Sequence, residues 1–208
     1  MARRRPRPVS RKSSSRAERQ TQPPASNWIQ TVRGRNFLVA LRLYGTGVEF
    51  FDQSWKPDDV VKIKGPYGAF FLREDHRRAK HIFVAGGTGL APVLSMVDGI
   101  RQWGGRKPPM LLSFGCAVPE ALFCLDELEL RRQWLPTLET RISVDRGAQG
   151  DVLSGSPVAA LREGDVPNAD TVAYLCGPQP MIDAATRRLI ELGVPANRIY
   201  SEQFVASN

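Results

Sequence analysis

The chain has 208 residues, room for one good domain or two small ones, and its 42% hydrophobic and 24% charged content is ordinary for a soluble globular protein. No apolar run approaches the roughly 20 residues of a membrane span. Three cysteines (Cys116, Cys124, Cys176) are too few and too oddly spaced for a disulfide framework, a zinc site or an iron–sulfur cluster, so no metal is expected and a reducing, cytoplasmic setting fits. The net charge of +8 sits in a tail: residues 1–35 hold ten Lys/Arg and one acid, leaving 19 Lys/Arg against 20 Asp/Glu, which argues against a nucleic-acid-binding domain proper.

Residues 1–36 are rich in Arg, Ser and Pro and nearly lack apolar periodicity, the composition of a disordered tail. Its readings stay open: a charge-held contact with nucleic acid or an anionic membrane, a transit leader that Pro6 and Pro8 interrupt, a twin-arginine signal without a proper apolar segment, a solvated tail, or translation of GC-rich DNA in the wrong frame. Apolar residues return from Phe37 to Phe51. Val60–Lys64 and Ala69–Leu72 read as strands around the tight turn Gly65-Pro66-Tyr67-Gly68. Strands joined by turns over 37–78 are expected to be part of an antiparallel barrel, too short to close alone.

After Lys80 the rhythm alternates. Strands are predicted at 82–85, 109–114, 138–144, 171–176 and 198–204, with helices at 90–103, 119–134, near 157–163 and at 178–192. In the last helix Met181, Ala185 and Leu189 form the buried stripe and Gly193 the cap. The expected fold over 79–208 is a doubly wound α/β domain with a five-stranded parallel sheet. Ligands of such sheets lie past the carboxyl ends of the strands. That places Gly86–Gly89, Gly115-Cys116, Cys176-Gly177-Pro178 and the residues after Ile199 on one edge.

The first of these carries the sharpest signal. A four-residue apolar strand, Ile82–Ala85, runs into Gly86-Gly87-Thr88-Gly89 and then a helix that tolerates Pro92 in its first turn. Glycines let the backbone approach a phosphate, and the unpaired N–H groups of the helix start point at it. The pattern by itself says phosphate or nucleotide, and a tight turn without a ligand is the other reading. Cys176 reads either as a small buried residue before a turn or as a thiol at the rim of a nucleotide cleft. Glu202 and Phe204, two apart on the last strand, share a face.

Taken together, Gly-Pro-Tyr-Gly (65–68), Ala-Gly-Gly-Thr-Gly-Leu-Ala-Pro (85–92), Leu-Phe-Cys-Leu-Asp-Glu-Leu (122–128), Tyr-Leu-Cys-Gly-Pro-Gln-Pro-Met (174–181) and Ile-Tyr-Ser-Glu-Gln-Phe (199–204) resemble the ferredoxin–NADP reductase superfamily. Within it, the likeness is to the reductase component of bacterial multicomponent monooxygenases acting on methane, propane or alkenes. The resemblance implies hydride transfer from NADH to FAD, then single electrons to an iron–sulfur protein or domain that serves a hydroxylase component. By that likeness Gly86, Gly87, Thr88 and Gly89 carry the coenzyme pyrophosphate, with Thr88 near the nicotinamide and Pro92, Gly115, Cys116, Gly177, Pro178 and Met181 around the coenzyme. Cys176 would lie against the nicotinamide with Glu202 beside it. Gly65, Pro66, Tyr67, Gly68 and Phe204 would face the flavin. Members preferring NADPH often place an arginine after the second strand. Cys116–Pro119 has none, which favours NADH.

The departures carry an expectation too. Arg42-Leu43-Tyr44-Gly45 mimics the family's flavin motif Arg-x-Tyr-Ser but lies only 23 residues before Gly65 and lacks the serine. The four-cysteine iron–sulfur domain is absent from the sequence. The reading is therefore a reductase with a complete nucleotide domain and a truncated flavin half, with a nucleotide-binding module that does not turn over as the alternative.

Overall fold

A computed structural model describes residues 69–203. The tail, the elements read within 37–68, the Gly65–Gly68 turn and Phe204 lie outside the described residues.

Six parallel strands form the sheet: β1 (Lys80–Gly86), β2 (Met110–Cys116), β3 (Leu138–Val144), β4 (Leu153–Ser154), β5 (Thr171–Gly177) and β6 (Ile199–Gln203), in the order β4-β3-β2-β1-β5-β6. Between them run α1 (Leu90–Gln102), α2 (Leu125–Trp134) and α3 (Gln179–Glu191). Strands β1, β2 and β5 are buried almost throughout, the habit of a parallel sheet covered on both faces. Their alternation sorts the core into two layers. Phe83, Ala85, Leu112, Phe114, Tyr174 and Cys176 meet α1 and α2, while Ile82, Val84, Leu111, Ala173 and Leu175 meet α3 through Ile182, Ala185 and Leu189.

Five expectations need correction. The sheet has six strands, not five. The extra one is two residues long, pairs Leu153 and Ser154 with Ser143 and Val144, and sits between Gly150 and Gly155, where no apolar alternation announces it. The segment near 157–163 is not a helix. Its bonds close at three residues (Ala159 N–H to Ser156 O, Leu161 N–H to Val158 O), and Arg141 takes the Ala160 carbonyl that a helix would have given to Gly164. The helix expected at 119–134 is a 3-10 turn, Pro119–Ala121, followed by α2. Between them Leu122 is extended and Cys124 sits at φ 56°, while Leu122 and Phe123 pack on the core. Ala69–Leu72 is no strand. It lies over the sheet, with Phe70 buried edge-on against Tyr174, and Arg73 donates its N–H to the Tyr174 hydroxyl at 2.9 Å. In α3 the buried stripe is Ile182, Ala185 and Leu189. Met181 is half-buried and turned toward Gly86, and Gly193 follows the helix at φ 102°, as its cap position requires.

Candidate functional site

Three chain reversals meet at the carboxyl edge of β1, β2 and β5. β1 ends at Gly86, a single 3-10 turn (Gly87–Gly89) follows, and α1 starts at Leu90 with Pro92 half-buried in its first turn. The four glycines of this edge play different parts. Gly87 has φ 54° and nothing within 4 Å of where a Cβ would stand, so its outer side is open to a ligand. A Cβ on Gly89 would fall inside the Cys176 carbonyl group, so Gly89 lets the start of α1 rest on β5. A Cβ on Gly86 would lie 2.7 Å from Met181 Sδ, and one on Gly177 would lie 3.1 Å from the Gly86 nitrogen. Gly86, Gly89 and Gly177 thus interlock the β1 and β5 turns, and Gly87 alone faces outward. Gly115 has a packing role as well: a Cβ there would meet Pro157 Cδ at 2.6 Å and Ser143 Oγ at 2.7 Å.

Beside this turn stand two thiols and a carboxyl group. Cys176 is fully buried, in register with Ala85 on one side and Glu202 on the other. Burial pushes its thiol well up, and the Glu202 carboxyl adds to the effect, so the group is a neutral thiol at any working pH. Glu202 is half-buried, and burial raises its carboxyl as well. Cys116, half-exposed, donates to the Ala121 carbonyl at 3.2 Å. Burial raises its thiol, the Gly87 N–H opposes that shift, and Asp145 adds to it. Thr88 is half-buried in the turn, and Pro178 is exposed at the head of α3.

An open groove of about 420 Å³ continues from here, lined by Val118, Pro119, Glu120, Arg146, Gly147 and Gln149. It exists because β2 and β3 stay paired beyond their ends: Asp145 N–H reaches Cys116 O and Arg146 N–H reaches Ala117 O, both at 3.1 Å. None of Glu120, Asp145 and Arg146 is among the residues the sequence singled out. The carboxyl-end rule would have found the last two had it been applied to strand 138–144 as to the others. Arg146 forms no ion pair among the described residues. Open glycine, helix start and groove together make a cradle of the size small-molecule ligands occupy.

The oxidoreductase NAD-binding domain family matches residues 83–187, which includes every strand but β6 and both sides of the glycine turn. The chain belongs to that family. It is 36% identical over 161 residues to the xylene/toluene monooxygenase electron transfer component of Pseudomonas putida, covering 70% of this chain and 41% of that protein. With methane monooxygenase component C of Methylosinus trichosporium the identity is 41% over 128 residues, 61% of this chain and 37% of the other. The chain thus spans about two-fifths of the length of these relatives. In fold it is similar to the cytochrome P450 reductase of Amycolatopsis (TM-score 0.64, 21% identity, 82% of this chain and 53% of that one). The resemblance to the ferredoxin–NADP reductase superfamily is borne out, and with it the parallel α/β nucleotide domain. No described helix is long and apolar enough to cross a membrane, and the described residues hold no cluster of His, Cys, Asp or Glu fit for a metal ion.

Proposed function

We propose that this chain binds NADH along the carboxyl edge of its sheet and serves as an electron-transfer reductase component of an oxygenase system. When bound, the nicotinamide supplies a hydride to FAD, which releases single electrons to an iron–sulfur protein or domain and through it to a hydroxylase component. The observation that carries the reading is the seating of α1 on the Cys176 carbonyl. It brings the open Gly87 turn and the Cys176–Glu202 pair to one edge, where a pyrophosphate and a reacting ring a few ångströms away are both within reach.

The chain's own residues divide the work. The Gly87–Gly89 turn, whose Gly87 and Thr88 carbonyls take the first N–H of α1, holds the pyrophosphate, with Thr88 toward the nicotinamide and Cys116 on the β2 side. Cys176, neutral and fully buried, backs the edge on which a ring is oriented, and Glu202, half-exposed beside it, is the accessible member of the pair; orientation is the protein's share of hydride chemistry. The residues the resemblance assigns to FAD, Gly65–Gly68 and Phe204, lie outside the described residues. The groove takes the adenosine half. Its lining sets one carboxylate, Glu120, against one guanidinium, Arg146, so no surplus positive charge meets a 2′-phosphate, which supports NADH over NADPH. We place the domain boundary near residue 79 and the protein in the cytoplasm, where its three free cysteines stay reduced.

Calorimetry with NADH and NADPH tests the reading, followed by NADH–ferricyanide turnover with added FAD. If neither coenzyme binds, the proposal fails. NADH binding without turnover would leave a nucleotide-binding module. Glu120→Gln should narrow the preference for NADH, tightening NADPH by about tenfold through removal of one nearby like charge, which the same titrations measure.

A further inference from the structure

The segment that enters β1 is fastened to the sheet through one arginine. Its guanidinium carbon lies 4.0 Å from the centre of the Phe71 ring and 4.8 Å from that of Tyr200, so the planar group is held between them. The Arg73 backbone N–H donates to Tyr174 at 2.9 Å, Nη2 donates to Ala69 O at 3.3 Å, and Nε is buried without a partner among the described residues. Three residues on, His76 Nε2 and the Tyr200 hydroxyl are 3.3 Å apart. Tyr174 and Tyr200 are register partners with rings 5.5 Å apart. Two residues further along the same strands, on the same face, the register partners are Cys176 and Glu202. The arginine platform and that pair are therefore neighbouring rungs, about 7 Å apart along the strands.

We propose that Arg73 is a positioning residue: by stacking on Tyr200 and anchoring its own backbone to Tyr174, it locks the segment before β1 and the edge strand β6 to the rungs that hold Cys176 and Glu202. β6 has a sheet partner on one side only among the described strands, and Arg73 covers its ring from above. The planar fork is what the place requires, since a lysine ammonium keeps the charge but cannot fill the slot between two rings. The catalytic consequence rests on the function proposed above; the clamp itself does not.

The test uses the full chain and the variants Arg73→Ala and Arg73→Lys. Below the unfolding transition, trypsin should cut after Arg77 and Arg78 about tenfold faster in Arg73→Ala, and Arg73→Lys should recover only part of the protection. In NADH–ferricyanide turnover with FAD, kcat should fall on the order of tenfold while the calorimetric affinity for NADH stays within about twofold. Wild-type cleavage rates in Arg73→Ala, full rescue by Arg73→Lys, or equal losses of kcat and NADH affinity would each overturn the proposal. Should the wild-type chain bind no NADH or show no turnover, the functional reading falls, and the protease comparison still decides whether the clamp exists.

Discussion

At the scale of single residues, the glycines of the first turn are the sharpest example of a motif whose members do unlike things. Three glycines of that turn, Gly86, Gly87 and Gly89, all read in sequence as room for a phosphate. The structure gives that room to Gly87, and gives Gly86, Gly89 and Gly177 to the packing of one turn on another. Adding a methyl group separates them. Gly89→Ala drives a Cβ into the Cys176 carbonyl, so its main effect should be on the fold, with a thermal midpoint lowered by several degrees whether or not coenzyme is present. Gly87→Ala has free space and meets only the strain of a left-handed residue, about 1–2 kcal/mol, but puts a methyl group on the open side. It should remain folded and lose NADH affinity. Circular dichroism melts and calorimetry on both variants give the answer, and a Gly89→Ala protein as stable as the wild type would contradict the packing assignment. Which glycine faces outward is not legible in the sequence because it depends on how α1 and β5 meet across 87 positions of chain. That glycines were needed here is legible, because strand, glycine run and helix follow one another within a dozen residues.

At the scale of elements, the strands were the readable part. β3 has the bounds its sequence predicts, and β1, β2, β5 and β6 differ by at most two residues at either end. Apolar runs buried on both faces mark themselves without help from the rest of the chain. The region after β4 did not, because its shape is set from a distance. Arg141 on β3 is nearly buried. It forms a two-pronged ion pair with Asp165 at 2.7 and 2.8 Å, meets Glu139 at 2.7 Å, and donates to Ala160 O. Burial works against the Asp165 charge, yet Arg141 and the Arg162 N–H hold its carboxyl below the usual range. These bonds stand where a crossover helix would have been, and Ser113 Oγ, donating to Pro157 O at 2.6 Å, holds Pro157 against Gly115. Asp165→Asn leaves the Arg141 guanidinium with only the exposed Glu139 as a charged partner and should cost about 2 kcal/mol, read from urea unfolding at neutral pH. A loss under about 0.5 kcal/mol would mean that the turn holds itself up without the ion pair.

At the scale of the whole molecule, the aromatic layer beneath α1 contains a fully buried histidine, and it ties global stability to pH. His81 is fully buried, stacked near Tyr174 and Phe83 with Trp103 edge-on, and its Nδ1 lies 2.9 Å from the Ala79 carbonyl. The Nε2 atom is buried with no partner among the described residues, so a proton there would carry charge into an apolar layer. Burial lowers the group from 6.5 to about 4; the Ala79 carbonyl opposes the shift, and weaker effects of His76 and Asp170 push in opposite directions. Below pH 6.5 the unfolded chain takes up a proton that the folded chain refuses until about pH 4, so the unfolded state binds more protons and stability falls as pH falls through that window. The full loss is about 3 kcal/mol at roughly 1.4 kcal/mol per pH unit, a large part of the 5–15 kcal/mol a domain holds. His81→Phe keeps a ring in the stack and removes the proton. It should cost about 1 kcal/mol at neutral pH for the lost Ala79 bond, yet show a much flatter stability between pH 6.5 and 4.5 than the wild type. Asp165, whose carboxyl is held low, gives up its contribution only below that range, so the two effects are separable along one titration. Urea midpoints measured across the window on both proteins decide the matter: equal slopes would mean that another group carries the acid sensitivity.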